Sequence, residues 1–122
     1  MAILNAWING VEGGVRTQEL VNSLTESGGI QGARMFMNGE VCYSFFICRN
    51  HYSPGFDRFF SFLQNLIEVE GSEIHGLVYV HDDEDKQHHD SWQVWSLRKG
   101  ELFKEKDTHL SPLSTKVFSY PA

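Results

Sequence analysis

The sequence predicts an α+β domain, a mainly antiparallel sheet of about five or six strands with two helices packed on one face. Three observations carry this prediction. Several segments alternate apolar and polar residues with the period of a strand, two others repeat apolar residues at helical spacing, and most strands are joined by hairpin signals rather than crossovers. The expected order is strand, helix, strand, strand, helix, strand, strand, strand. No linker or internal repeat divides it, so residues 1–122 are expected to form a single domain.

The first strand is read in "AILNAWING", where Ala2, Leu4, Ala6 and Ile8 share one side and Ile3, Asn5, Trp7 and Asn9 the other, with Gly10 as its end. The glycine-rich turn "VEGGV" leads to a helix capped by Thr17, with Leu20, Val21 and Leu24 on one face and Gly28-Gly29 as its stop. Asn38-Gly39 is the dipeptide best suited to the left-handed conformations of a two-residue hairpin, so strands should flank it. In the second of these, both alternating sets are largely apolar, which marks an interior strand. The clearest helix lies in "SPGFDRFFSFLQNLIEVEG". Ser53 stands at the cap, Pro54 at the first position, Asp57 near the positive end of the dipole and Gly71 at the stop. Its apolar stripe is Phe56, Phe59, Phe60, Leu63, Leu66 and Ile67, spaced to pack on a sheet. Period two returns in "EIHGLVYVH", and "SWQVWSLRKGELFKEKD" reads as a hairpin turning at Lys99-Gly100. The tail carries a turn signal at Ser111-Pro112 and a candidate short strand at Lys116 to Ser119. With both helices on one face, the other is left partly open. Trp7, Trp92 or Trp95 would belong to an interface only if alternation places them there.

At 41% hydrophobic and 21% charged residues the chain has the composition of a globular protein with a real core. No apolar run approaches the roughly 20 residues of a membrane span, and the N-terminus lacks the pattern of a secretion signal, so the expected location is the cytoplasm. Cys42 and Cys48 would be about 20 Å apart on an extended strand, which favours free, buried thiols over a disulfide. The formal charge is −6, and its distribution is uneven. From Asp82 to Asp90, five acids stand against one lysine, so nine residues hold two thirds of the net charge. Such a field disfavours nucleic acid and anionic membranes as partners and favours a cation or a basic protein surface.

The acidic run "HDDEDKQHHD" fails the tests for known chemistry. Begun at Asp83, an EF-hand loop would need glycine at its sixth position and glutamate at its twelfth, where His88 and Val94 stand. The zinc spacings H-E-x-x-H and paired C-x-x-C are absent, so His75, His81, His88 and His89 form no recognisable ligand set. There is no nucleophile elbow, phosphate loop or Cys/His signature, and acids adjacent on a loop are poorly placed for acid/base work. No catalytic residue, metal or cofactor is therefore assigned. A docking patch and a merely solvated turn remain equally open on composition alone.

Residues His75 to Pro112 resemble the immunity protein 7 family of bacterial polymorphic toxin systems. The resemblance rests on Gly76-Leu77 opening a strand, the block Asp82-Asp83-Glu84-Asp85, the Trp92-Gln93-Val94-Trp95 strand, the turn at Lys99-Gly100, Asp107 and Leu110-Ser111-Pro112. The chain departs from the pattern at His81, where a basic residue is expected, and at Leu113, where a cysteine is usual. The resemblance implies a small α+β protein that binds and neutralises a cognate toxin domain; the acidic charge adds the expectation that this toxin is basic, a nuclease, and blocked by occlusion. The toxin-binding candidates are then Asp82, Asp83, Glu84, Asp85, Asp90 and Trp92, while Trp92, Trp95 and Leu110 to Pro112 could instead be scaffold. The rivals are a small metal-dependent hydrolase using the acid and histidine cluster, and an adaptor domain.

Overall fold

Alternation in the first strand is realised almost without exception. In a computed structural model, which describes residues 1–26 and 29–113, β1 (Ala2–Val11) buries Ala2, Leu4, Ala6 and Ile8 completely and turns Trp7 outward. The strand does not end at Gly10. Its pairing with β3 shifts register between Ile8 and Val11, and Gly10 takes φ 76° there, so the glycine makes a bulge and the strand continues.

After β1 come α1 (Val15–Glu26), β2 (Ile30–Met37), β3 (Glu40–Arg49), α2 (Pro54–Glu70), β4 (His75–Asp82), β5 (Gln93–Arg98) and β6 (Glu101–Glu105). All neighbouring strands are antiparallel, in the order β2-β3-β1-β4-β5-β6. This is the α+β arrangement the sequence predicts. Both hairpins turn where expected, with Asn38 and Lys99 at φ 53° followed by Gly39 and Gly100 at φ 80° and 76°.

The core lies between the sheet and the two helices. Tyr43, Phe45 and Ile47 of β3 and Val78 and Val80 of β4 join the buried β1 residues under Phe56, Phe59, Leu63 and Leu66 of α2. Each of these large side chains contributes roughly 1.5–3 kcal/mol through burial. Phe62 is buried as well, while Phe60 and Ile67 are only partly covered. The stripe is thus wider than predicted. Phe62 lies on the flank of α2 beside Leu20 and Leu24 of α1, and Phe60 on the flank that meets Trp95 of β5, edge-on at 4.9 Å.

Helix α1 departs from its predicted start. Thr17 is not the cap but sits in the first turn, fully buried, with its hydroxyl donating to Glu70 at the far end of α2. The same carboxylate accepts the backbone N–H groups of Glu12 at 2.8 Å and Gly13 at 3.3 Å. Glu70 of α2 therefore holds the turn that leads into α1, together with the Thr17 side chain in its first turn. Ser53 occupies the cap position of α2 without a side-chain hydrogen bond, and Gly71 ends that helix with its N–H on the Ile67 carbonyl.

Of the two free thiols only Cys42 is buried, donating to Asn9 Oδ1; Cys48, on the same face of β3, is exposed. No helix among the described residues is long and apolar enough to cross a membrane. The candidate strand at Lys116 to Ser119 lies outside the described residues.

Candidate functional site

Antiparallel pairing sends alternate chain ends to the same place. Ala2 of β1 pairs with both Arg49, at the end of β3, and Asp82, at the end of β4. The start of β1, the approach to α2 and the acidic run are therefore gathered at one end of the sheet. The positive end of the α2 dipole points to this region, which partly offsets the crowding of carboxylates.

Within the acidic run, several side chains are occupied in holding their own loop. The Asp82 carboxylate accepts the Glu84 N–H at 3.0 Å, and Asp85 accepts the N–H groups of Gln87 at 2.9 Å and His88 at 3.2 Å. These donors, Gln87 first, hold the Asp85 carboxyl below its ordinary range. Asp83 pairs with the Met1 ammonium at 2.5 Å, which lowers the acid and raises the amine. Glu84 meets His51 Nδ1 at 2.5 Å. Asp90 takes the Leu113 N–H on its carbonyl oxygen. The loop is a built feature rather than a loose acidic string.

The candidate residues divide between the two sides of the sheet. Asp82 shares the helix-covered side with Ala2 and, together with Asp85, lines a cleft of about 500 Å³. Its other walls are Tyr52, Asp57, Phe60 and Trp95. Tyr52 donates to Asp57 Oδ1 at 2.9 Å, and burial followed by that bond pushes its phenol up to about 12. Trp92 lies on the opposite side, edge-on to Tyr79 at 5.9 Å, with Trp7 beyond Tyr79 at 6.2 Å. The three tryptophans therefore part company: Trp7 and Trp92 face the open side, Trp95 the helices.

Trp92 is also fastened. Its N–H donates to Ser111 Oγ at 2.8 Å, and that hydroxyl donates to Asp107 at 2.7 Å. Asp107 further accepts the His109 and Leu110 N–H groups. Burial opposes its ionisation, but the Ser111 and backbone donors outweigh it and leave the carboxyl below its usual range. Asp107 and Ser111 thus act as a clasp closing the segment after β6 onto the loop before β5. At the departure position His81, the ring lies 5.6 Å from that of Trp92 and its Nε2 meets the His89 carbonyl at 2.9 Å.

Sequence reasoning missed Tyr52 and Asp57 as parts of the acidic end. Nothing near them in the chain announces it, because they reach Asp82 only through the pairing of β1 with both β3 and β4. Ligand oxygens of Asp82, Asp83 and Glu84 lie within 4.8 Å of one another. That spacing suits a cation, yet Asp83 and Glu84 already hold a positive or protonatable partner.

A six-stranded antiparallel sheet with one charged end defines a small α+β protein without a recognised catalytic constellation among its described residues. The family model for Immunity protein 7 matches residues 9–118, and the chain belongs to that family. Membership identifies an immunity protein, a kind of protein that binds a cognate toxin, and points to a non-enzymatic role. The match extends far upstream of residues 75–112, on which the resemblance rested. No curated protein and no solved structure matches the chain.

Proposed function

We propose that this protein neutralises its cognate toxin, a nuclease, by laying its acidic end over the toxin's basic nucleic-acid cleft in the cytoplasm of the producing cell. The toxin would arrive by contact-dependent inhibition or another secretion route. The observation that carries this reading is the gathering of Asp57, Asp82, Asp83, Glu84 and Asp85 at one end of the sheet. A nuclease must present positive potential to its substrate, and a surface of opposite sign is steered to it and excludes the polyanion.

A stable pair buries roughly 1,200–2,000 Å² in total, more than a ten-residue loop supplies. The added surface comes from the approach to α2, where His51, Tyr52 and Asp57 adjoin the loop. On the open side, Trp92, Tyr79 and Trp7 offer aromatic anchors, with Trp7 47% exposed.

The test is association kinetics with the product of the neighbouring toxin gene. Replacing Asp82, Asp83 and Asp85 together by Asn keeps an acceptor oxygen at each position while removing the charge. Association should slow by about tenfold or more at low salt, and its salt dependence should flatten. Unchanged association in the triple variant would move the interface elsewhere. Calorimetry with manganese or zinc addresses the hydrolase rival, which a stoichiometric site tighter than about micromolar would favour.

A further inference from the structure

The cleft beside the acidic loop has more specific chemistry than negative charge. Its carboxylates come from two places, Asp57 from α2 and Asp82 and Asp85 from the loop, and its walls carry the rings of Tyr52, Phe60 and Trp95. At about 500 Å³ it falls within the roughly 300–1,000 Å³ of pockets that hold small ligands. Trp95 already takes a cation on its ring: Lys104 Nζ, which is not part of the cleft's lining, lies 4.4 Å from the ring centre and donates to Gln93 Oε1 at 2.6 Å.

We propose that this cleft is an arginine pocket, taking one arginine side chain of the bound toxin between its aromatic walls and its three carboxylates. The proposal rests on the reading that the acidic end meets a basic protein, and it names the group that would anchor there. Guanidinium fits better than ammonium for three reasons. It is planar and stacks on aromatic faces, it presents several donors that can pair with carboxylates on different walls, and it is more weakly hydrated. Lys104 shows that the Trp95 ring accepts a cation. An exposed acidic surface would gain only steering from a partner's charge, whereas a partly enclosed one can hold it.

The three tryptophans allow a test on the isolated protein. In ¹H–¹⁵N spectra the Trp95 indole N–H reports on the cleft, and those of Trp7 and Trp92 report on the opposite side of the sheet. Titration with N-acetyl-arginine amide should move the Trp95 signal saturably at roughly millimolar concentration and leave the other two in place. Asp57→Asn and Asp82→Asn, which keep the acceptor oxygens, should each weaken binding about threefold or more. Lys104→Ala should tighten it at least about twofold by removing a positive charge that already acts on Asp85.

A Trp95 signal that fails to saturate, equal movement of all three indoles, or equal binding of N-acetyl-lysine amide would overturn the assignment. If arginine amide fails to bind while the Asp82, Asp83 and Asp85 triple variant still slows toxin association, the pocket falls and the acidic-end reading stands. If it binds and the triple variant associates normally with toxin, the cleft holds guanidinium but takes no arginine of the toxin, and the proposal falls together with that reading.

Discussion

Replacing Glu70 by Ala should destabilise the protein by about 1.5–3.5 kcal/mol, although Glu70 lies far from the acidic end. Its carboxylate gathers three donors, the N–H groups of Glu12 and Gly13 and the hydroxyl of Thr17. The largest cost falls on Thr17, which is fully buried. A buried hydroxyl stripped of its partner costs about 1–3 kcal/mol. The anion's gain at the start of α1 and its cost at the C-terminal end of α2, each about 0.3–1 kcal/mol, roughly cancel. The two backbone groups add a few tenths, because water can reach that turn. A loss of this size in a chain of this length lowers Tm by roughly 8–15 °C. Urea unfolding followed by tryptophan fluorescence gives the value directly. Glu70→Gln, which can still accept from Thr17, should lose only about 1 kcal/mol. The decisive measurement is the cycle with Thr17→Val. Once the hydroxyl is gone, Glu70→Ala should cost about 1–2 kcal/mol less than in the parent. Strict additivity, or a loss below about 1 kcal/mol for Glu70→Ala alone, would refute the idea that the end of α2 holds the start of α1.

Two further outcomes follow from the same structure. A Cβ at Gly76 would lie 1.9 Å from the Trp7 carbonyl oxygen, so Gly76→Ala must part β1 from β4 in the middle of the sheet. A loss of more than about 3 kcal/mol, or failure to fold, is expected by chemical denaturation; a loss under about 1 kcal/mol would show that the strands can separate cheaply. The acidic end should also loosen in acid before the core does. Asp83, Asp85 and Asp107 are all held below their ordinary ionisation range, so what they contribute is complete above the unfolded value near about 3.9 and is lost as pH falls through their lower folded values. The Met1 amine shifts the other way, and its contribution is lost only as pH rises through its raised value. Hydrogen exchange at the Trp92 and Leu113 amides, measured from pH 6 down to 3 and corrected for intrinsic rates, should therefore lose protection earlier than exchange in β1. Simultaneous loss in both regions would remove the local origin claimed for the loop's order.

Much of the architecture could be read locally because it is decided locally. Period-two burial in β1 and β3, the two left-handed hairpin turns and the Pro54 to Gly71 frame of α2 each depend on residues within a few positions. Thr17 resembles a helix cap by its surroundings, whereas it lies in the first turn and its hydroxyl is held by a glutamate 53 residues further on. The end of β1 was misplaced because a positive-φ glycine serves a bulge as well as a turn. At the candidate site, the acidic run was visible as composition, but its wiring was not. Asp83 answers to Met1, Glu84 to His51 and Trp92 to Ser111, all partners set by pairing across the sheet.

By itself the sequence determined the periodicities, the turns and the concentration of charge, since these reflect backbone preference and the count of ionisable groups along the chain. It also carried enough of the Gly76 to Pro112 pattern to indicate the family. Only the tertiary structure decided that Tyr52 and Asp57 join Asp82 and Asp85 around one cleft, and that Trp92 and Trp95 lie on opposite sides of the sheet. The reason is geometric. An antiparallel sheet brings distant chain ends together at its edges and sends neighbouring side chains to opposite faces, so proximity in sequence and proximity in space diverge most where strands end.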